Sequence, residues 1–373
     1  MYHLFLNTKF SFEFILLQTL HLFEMALKIS FLSHKFYPDI GGIESNSEVL
    51  ALAFTKAGHV VHLLTWTKNV VDEDRPYVII RNPTTQQLVS NCLWADVVFE
   101  NNPCLRMSWP NFFIGRPSVI ALNTWVTRLD GSIAYQDRLK LWWLKRARRV
   151  IAVSRALRNR SWPAATVIEN PYQIGQFRLI SSVERTKDFV FLGRLVSDKG
   201  ADQAIKALYQ LTRSQDEELF ALRKPSLTII GTGPEAGALA QCVVELGLEE
   251  QVHFTGALRG EALAECLNQH RFLLVPSAWE EPFGNVALEG MACGCLPIAS
   301  DGGGLADAIG PAGLLFQRND VDALVKCIRH VLKNPELEQA LRDKTPGHLA
   351  AHHPDLIAQR YLEVLEAAVP TRR

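Results

Sequence analysis

The chain carries no charge surplus: 39 lysines and arginines face 39 aspartates and glutamates over 373 residues. With no overall positive field to draw in a polyanion, nucleic acid is not the expected partner. The seven cysteines are scattered and odd in number, and none falls in a Cys-x-x-Cys pair. That pattern argues against a zinc centre or a disulfide scaffold, and reads as small buried hydrophobes in a reducing compartment, the cytoplasm. Long apolar runs are missing as well. The apolar stretch 14–23 is too short to span a bilayer, and Lys9 and Glu13 interrupt what precedes it. No small-residue cleavage site follows, which speaks against a secretory signal. There is no repeat of fixed period and no low-complexity tract.

What is present is a core-forming composition, 48% apolar and 21% charged, on a chain long enough for two domains. A second methionine, Met25, opens "MALKISFLSHKFYPDIGG", which reads as the natural start of an α/β domain. Residues 1–24 are therefore expected to be an upstream extension without a functional role, a weak membrane anchor being the alternative.

Short runs rich in Val, Ile and Phe alternate with helical patterns. The first half gives "KISFLSH", "HVVHLLTW", "DVVFE", "SVIALN", "RVIAVS" and "TVIEN"; the second gives "DFVFLG", "LTIIG", "QVHFTG", "FLLVPS", "LPIAS" and "GLLFQ". Continuous apolar strands separated by helices indicate parallel sheets covered on both faces. Each half has enough strands for its own doubly wound domain. The expected division is 25–178 and 179–353, with the seam near "YQIGQFRLISSVERTKD" and a C-terminal helix, 354–373, packing back toward the first domain. Asp320 is the expected N-cap of the helical tail that follows residue 319.

In open parallel sheets, ligands bind beyond the carboxyl ends of the strands, so the loops after strands hold the candidates. Gly41 and Gly42 precede a helix that reads as starting near Glu44, where a close backbone and free N–H groups suit an anion; a tight turn without a ligand is equally consistent. In "FLGRLVSDKGADQAI", Arg194 follows a strand and Lys199 precedes a helix. Two cations beside a helix start suit a diphosphate, although solvated surface charge is the usual fate of such residues. "GTGPEAG", with Gly231 and Gly233, is a weak phosphate-loop look-alike without the lysine and hydroxyl of a Walker loop. "SDGGGLAD" offers three glycines for close approach, or a bare turn.

The sharpest signal is "EEPFGNVALEG". Pro282 keeps Glu281 extended, and a helix should begin at Gly284 or Asn285. Its free N–H groups, with that of Val286, favour negative charge. Glu289 lies four residues beyond Asn285 on the same helix face, in an otherwise apolar setting where a carboxylate needs a partner. One glutamate in the loop and one on the helix, with a phosphate between, match the layout of a nucleoside diphosphate sugar: ribose, phosphates, hexose.

Taken together these loops resemble the retaining glycosyltransferases of the GT-B fold, specifically glycosyltransferase family 4. The resemblance runs from about Met25 to the C-terminal helix. Glu281-Pro-Phe-Gly-Asn-Val-Ala-Leu-Glu289 is similar to the family's double-glutamate motif, "GRLVSDKG" to its Arg/Lys diphosphate site and "PDIGGIE" to its N-terminal glycine loop. "IAVSRAL" and "VIENPY" stand where the family has its Val-Ser and Asn-containing segments. The resemblance implies an α/β GT-B fold of two Rossmann-like domains with an interdomain cleft that closes over the donor. It implies that Arg194 and Lys199 neutralise the leaving diphosphate, that Glu281 meets the donor sugar and that Glu289 holds the ribose. Gly284, Asn285 and Val286 would contact sugar and phosphate, with Gly41 and Gly42 lining the phosphates from the other domain. No metal and no cofactor are expected, because fixed cations and the helix terminus would stabilise the leaving group.

One position departs from the family. A histidine is common after the strand that reads "SVIALNTWV" here, and the matching residue is Asn123, which cannot take up a proton near neutral pH. His34, just before the glycine loop, could partly substitute, though a strand-end histidine is usually structural. The resemblance places the acceptor among glycans or lipid-linked glycans of bacterial surface polysaccharide or lipopolysaccharide assembly. A non-catalytic nucleotide-sugar binder, or a GT-B phosphorylase or epimerase, are the alternatives. Finally, "RLKLWWLKRARR", 138–149, has six basic and no acidic residues with Trp142 and Trp143. It reads either as a seat on an anionic membrane, the inner face of the cytoplasmic membrane, or as an amphipathic helix packed on the sheet.

Overall fold

The computed structural model describes residues 26–39, 41–68, 74–128, 132–213 and 224–370. The extension expected at 1–24 lies outside the described residues. The chain forms two compact units, one comprising residues up to Ile151 together with those from Ala358 on, the other Ala152–Ile357. The change of unit thus falls at 151/152 rather than at 178/179. The reason lies in the partners of 152–178. Ser154 bonds Pro282, Arg155 bonds Asp307, Asn170 bonds Asn285 and Arg178 bonds Glu261, all residues of the second unit.

The first sheet contains β1 (Lys28–Ser33), β2 (Val60–Thr65), β3 (Val78–Arg81), β4 (Val97–Asn101), β5 (Ser118–Leu122), β6 (Arg149–Ala152) and β7 (Thr166–Val167), in the order β3-β2-β1-β4-β5-β6-β7. The pairings from β3 through β5 are parallel. Of these strands only β3 escaped the sequence reading. It has three apolar residues between Tyr77 and Arg81, lies at the sheet edge and is at best half-buried. Phe31, Phe54 and Phe99 fill the core of this unit, with Phe31 and Phe99 meeting edge to face at 4.7 Å. From the C-terminal helix Pro354–Ala368, Tyr361 closes on Phe54 and Phe99.

The second sheet contains β8 (Lys187–Leu192), β9 (Leu227–Ile230), β10 (Val252–Gly256), β11 (His270–Val275), β12 (Leu296–Asp301) and β13 (Leu314–Gln317), in the order β10-β9-β8-β11-β12-β13. All five pairings are parallel, with Phe189 opposite Phe272 in the β8/β11 register. These six are the strands read from the second half of the sequence. Phe189, Leu227, Ile229, Phe272 and Ile298 are nearly inaccessible, and burying each stabilises the unit by about 1.5–3 kcal/mol before chain entropy is counted. Helices such as Ala201–Thr212 and Val321–Lys333 cover the sheet with Ala204, Leu208, Leu324 and Ile328. Asp320 caps the latter, accepting from the Ala323 N–H at 2.8 Å. In both sheets strand order reverses beside the first strand of the sheet, between β1 and β4 and between β8 and β11. Ligands of doubly wound sheets bind at the carboxyl ends flanking such a reversal.

Candidate functional site

The strand ends flanking the second reversal carry most of the candidates. Beyond β8 the chain passes Gly193 and Arg194, forms a short 3-10 turn Ser197–Lys199 and enters the helix Ala201–Thr212 through Gly200. Beyond β11 it runs through Ser277 and Glu281 into the helix Asn285–Ala292. The two loops are joined at three points. The Asp198 carbonyl accepts from the Ala278 and Trp279 N–H groups at 3.0 and 3.2 Å. Gly200 has φ 73°, and a Cβ there would lie 1.9 Å from the Pro276 carbonyl oxygen, so only glycine allows the contact. Lys199 Nζ donates to Glu281 Oε1 at 2.5 Å.

Glu281 is nearly buried and also accepts from Ser277 Oγ at 2.8 Å. Its neighbour Glu280 is held instead by Arg160 and, at 3.0 Å, by Arg318. The adjacent glutamates are thereby sorted: one belongs to an arginine clamp, the other faces Lys199. Arg194, five residues before Lys199, is exposed and has no carboxylate partner among the described residues.

Gly284 caps the helix Asn285–Ala292 with φ 113°, and the first N–H groups of that helix have no acceptor within it. Asn285 accepts at Oδ1 from Asn170 Nδ2 at 3.0 Å. Glu289 is half-buried on this helix, and no described side chain hydrogen-bonds or ion-pairs with its carboxylate. Burial alone pushes it up to about 7. A carboxylate that the fold leaves unpaired in an apolar setting is one whose partner is to be sought in a ligand.

Gly231 and Gly233 are accounted for by packing. A Cβ at Gly231 would meet the Gly193 carbonyl oxygen at 1.9 Å, and one at Gly233 the Leu195 carbonyl oxygen at 2.2 Å. These glycines let one strand-end loop lie under the loop that carries Arg194. The triple glycine 302–304 behaves the same way. Of the two readings, close approach to a ligand or a bare turn, the packing supports the turn: a Cβ at Gly303 would stand 2.2 Å from the Glu281 carbonyl oxygen, and the Gly304 N–H donates to that oxygen at 2.7 Å. The close approach is to the loop bearing Glu281.

Two supporting residues escaped the sequence reading. Ser277 stands two residues past the end of β11, as Arg194 does past β8. Ser154 Oγ donates to the Pro282 carbonyl at 2.6 Å while accepting from the Leu157 N–H at 3.1 Å, so it caps one helix and braces the Glu281 loop together. Only the Val-Ser dipeptide hinted at it.

The remaining candidates lie in the first unit. Gly41 precedes the helix Gly42–Lys56, two residues longer at its start than read, and the side-chain oxygen of Glu44 sits 2.4 Å from where a Gly41 Cβ would be. That helix start already has a carboxylate beside it. Asn123 is 8% exposed, and both ends of its amide are engaged. Its Nδ2 donates to Asn101 Oδ1 at 2.6 Å and its Oδ1 accepts from Asn46 Nδ2 at 3.3 Å, in a buried chain continuing through Ser47 to Ser33. His34 is half-buried, with Nε2 3.3 Å from the Pro103 carbonyl; burial lowers its proton affinity against the opposing pull of that carbonyl. Among the described residues, no group of three or more His, Cys, Asp or Glu side chains could hold a metal ion, and no helix is long and apolar enough to cross a membrane.

Residues 176–348 match the family model of the glycosyl transferases group 1. The 2-deoxystreptamine glucosyltransferase of Streptomyces kanamyceticus is 30% identical over 181 residues, 46% of this chain and 44% of that protein. The glycogen synthase of Mycobacterium tuberculosis is 29% identical over 229 residues, 56% of this chain and 53% of that protein. The chain spans about half the length of these curated relatives. The crystal structure of Anabaena HepE in complex with UDP superposes with a TM-score of 0.77 at 20% identity, covering 91% of this chain and 100% of that one. At that identity the likeness speaks for the fold: two α/β domains with parallel sheets, the GT-B fold.

Proposed function

We propose that the chain is a retaining glycosyltransferase that moves a sugar from a nucleoside diphosphate sugar to a hydroxyl of a glycan or lipid-linked acceptor. The observation that carries this reading is the Lys199–Glu281 pair at 2.5 Å, set beside the start of the helix bearing the unpaired Glu289, at the strand ends flanking the β8/β11 reversal. All of it lies within the segment that matches the family model.

In this reading Lys199 and Arg194, with the N–H groups at Gly284, Asn285 and Val286, take up the charge that grows on the diphosphate as its bond to the anomeric carbon breaks. The acceptor oxygen bonds to that carbon on the face the diphosphate leaves, and its proton passes to the departing phosphate oxygen, which preserves the anomeric configuration. Glu281 accepts from the donor sugar hydroxyls once Lys199 turns to phosphate, and Glu289 accepts from the ribose. Gly231 and Gly233 serve by placing Arg194. Backbone contacts from Gly41 and Gly42, and a role for His34, are proposed from the resemblance alone. Asn123 is assigned to holding its own loop, since its amide is used within the fold. No metal is required in this scheme, because the fixed cations and amides supply the charge. Bacterial surface polysaccharide or lipopolysaccharide assembly is the proposed setting, supported by the resemblance.

A thermal-shift screen against nucleoside diphosphates and nucleotide sugars tests donor binding, because a ligand that binds only the folded chain raises its apparent stability. Turnover, scored as slow donor hydrolysis or transfer to hydroxyl acceptors, tests catalysis. Binding without turnover across donors and acceptors would make the chain a non-catalytic binder.

A further inference from the structure

The basic segment 138–149 does not act alone. Trp143 is buried, its indole N–H donating to Glu100 Oε1 at 2.9 Å. The other oxygen of the fully buried Glu100 accepts from the Cys104 N–H at 2.6 Å. One carboxyl therefore ties the helix Tyr135–Leu144 to the turn that opens the short helices Leu105–Ser108 and Pro110–Ile114. That turn is fixed from beneath by buried Met107 and by Asn111, which bonds the Arg116 backbone twice, at 3.0 and 2.8 Å. What it holds outward is aromatic: Trp109, Phe112 and Phe113 are exposed, Phe113 at 77%. Their rings form a row with Trp142, itself 44% exposed: Trp109–Phe113 at 6.3 Å, Phe113–Phe112 at 5.0 Å and Phe112–Trp142 at 5.9 Å. Arg146 lies over Phe112 at 4.4 Å and over Trp142 at 5.6 Å. Segments 102–118 and 138–149 together contain eight basic and no acidic residues.

Four exposed aromatic rings are far more than the single stray hydrophobes normal on a surface. A rigid mount means little conformational entropy is lost when they are covered, and the predominantly basic charge of these segments, offset on the helix by Asp137 beside Lys140, selects the occupant. We propose that this face, built from two separate chain segments, docks the protein on an anionic lipid surface, with Trp109, Phe112, Phe113 and Trp142 entering the headgroup layer and Arg138, Lys145 and Arg146 meeting lipid phosphates. Aromatic rings favour that depth, and each basic residue near an anionic bilayer strengthens binding about fivefold. The inference does not depend on the donor reading, since lipid docking needs no nucleotide.

Flotation of the full chain with vesicles of phosphatidylcholine, with and without phosphatidylglycerol, tests it. The wild type floats with the anionic vesicles at low salt, stays behind with the neutral ones and is released by added salt. Phe112→Ser with Phe113→Ser lowers the partition about tenfold, and Lys145→Gln or Arg146→Gln each lowers it about fivefold. Lys206→Gln, on the second unit, leaves it unchanged. The variants keep the wild-type melting temperature, since they lie on the surface. The proposal is overturned if the wild type ignores anionic vesicles at low salt, if Lys206→Gln loses as much as Arg146→Gln, or if the aromatic variants float like the wild type. It is overturned equally if the aromatic face proves to join two copies of the chain, seen as a dimer in light scattering that Phe112→Ser with Phe113→Ser abolishes, or to bind soluble polysaccharide and no vesicle.

Discussion

On the proposed reading, Glu289 sets the stability of the fold against its affinity for a ligand, and Glu289→Gln separates the two. With no partner among the described residues, its carboxyl is pushed by burial from 4.5 to about 7. A tenfold change in proton affinity is worth about 1.4 kcal/mol, so the ionised side chain costs the fold about 3 kcal/mol at pH 8, or about 2 once its residual contact with water is allowed for. Between pH 4.5 and 7 the folded chain keeps a proton that the unfolded chain has released. Stability therefore falls as pH rises through that window and is level above it. Glutamine keeps the shape and removes the charge. The variant should melt with the wild type near pH 4.5 and above it at pH 8, by about 4–8 °C for a unit of about 200 residues. Binding should move the other way. Hydroxyl donors to a carboxylate are worth about 1.5–3 kcal/mol, so the variant should hold a nucleoside diphosphate about 10- to 100-fold less tightly at pH 8. Thermal unfolding at both pH values, with and without a panel of nucleoside diphosphates, reads both effects. A variant no more stable than the wild type at pH 8 would refute the burial argument. A stabilised variant with unchanged affinity would remove Glu289 from the binding set.

Lys199→Ala should lower transfer about 100- to 1,000-fold through loss of a fixed cation, and should cost about 1–3 kcal/mol of stability because the buried Glu281 carboxylate keeps Ser277 Oγ as a donor but loses its cation; steady-state rates and melting curves together check this. A large fall in melting temperature with little loss of rate would contradict the assignment. Gly303→Ala forces a Cβ against the Glu281 carbonyl at a φ of 60° and should cost about 1–3 kcal/mol along with most activity. Gly237→Ala, in a helix with open space around it, should instead stabilise by about 0.5–1 kcal/mol without touching activity, and a matched melting series distinguishes the two. Ser154→Ala removes a helix cap and the bond to Pro282 together, with an expected cost of about 1–2 kcal/mol and a lower transfer rate; no change in either quantity would show that the brace is idle.

The second unit was legible strand by strand because buried parallel strands are written as unbroken apolar runs, and "FLLVPS" or "LPIAS" admits few other readings. β3 was not, since an edge strand of four half-buried residues has no such run. The boundary between units was misplaced for a different reason. Residues 152–178 look like the tail of the first domain in composition, and only long-range bonds such as Arg155 to Asp307 and Asn170 to Asn285 assign them to the second. Among the candidate residues, Lys199 and Glu281 stand out in the sequence because strand-end position and residue type coincide, and the structure pairs them. Ser154 and Ser277 do not stand out, because a serine is common and its value lies in which carbonyl or carboxylate it happens to reach. The segment 138–149 shows the converse error. Its two tryptophans are adjacent in sequence, yet one is a buried donor to Glu100 and the other faces outward, a split that helix phase alone does not reveal.

The glycines bring the separate loops under one explanation. Gly231 and Gly233 lie against 193 and 195, Gly200 against 276, and Gly303 and Gly304 against 281 and 282, each with its missing side chain replaced by another loop's backbone. The loops at these strand ends are thus packed main chain on main chain, without side chains to tolerate drift. Packing of that kind cannot yield continuously, so the positions from which Lys199 and Glu281 project are fixed before any ligand arrives. What remains free is the lysine stem. Its ammonium pairs with Glu281; a diphosphate, carrying more charge than one carboxylate, would draw it away and leave Glu281 open to hydroxyl donors. On the proposed reading the ion pair gives way when a diphosphate binds, so removing the lysine should be felt chiefly in rate, with a smaller cost in stability from the buried carboxylate it leaves behind.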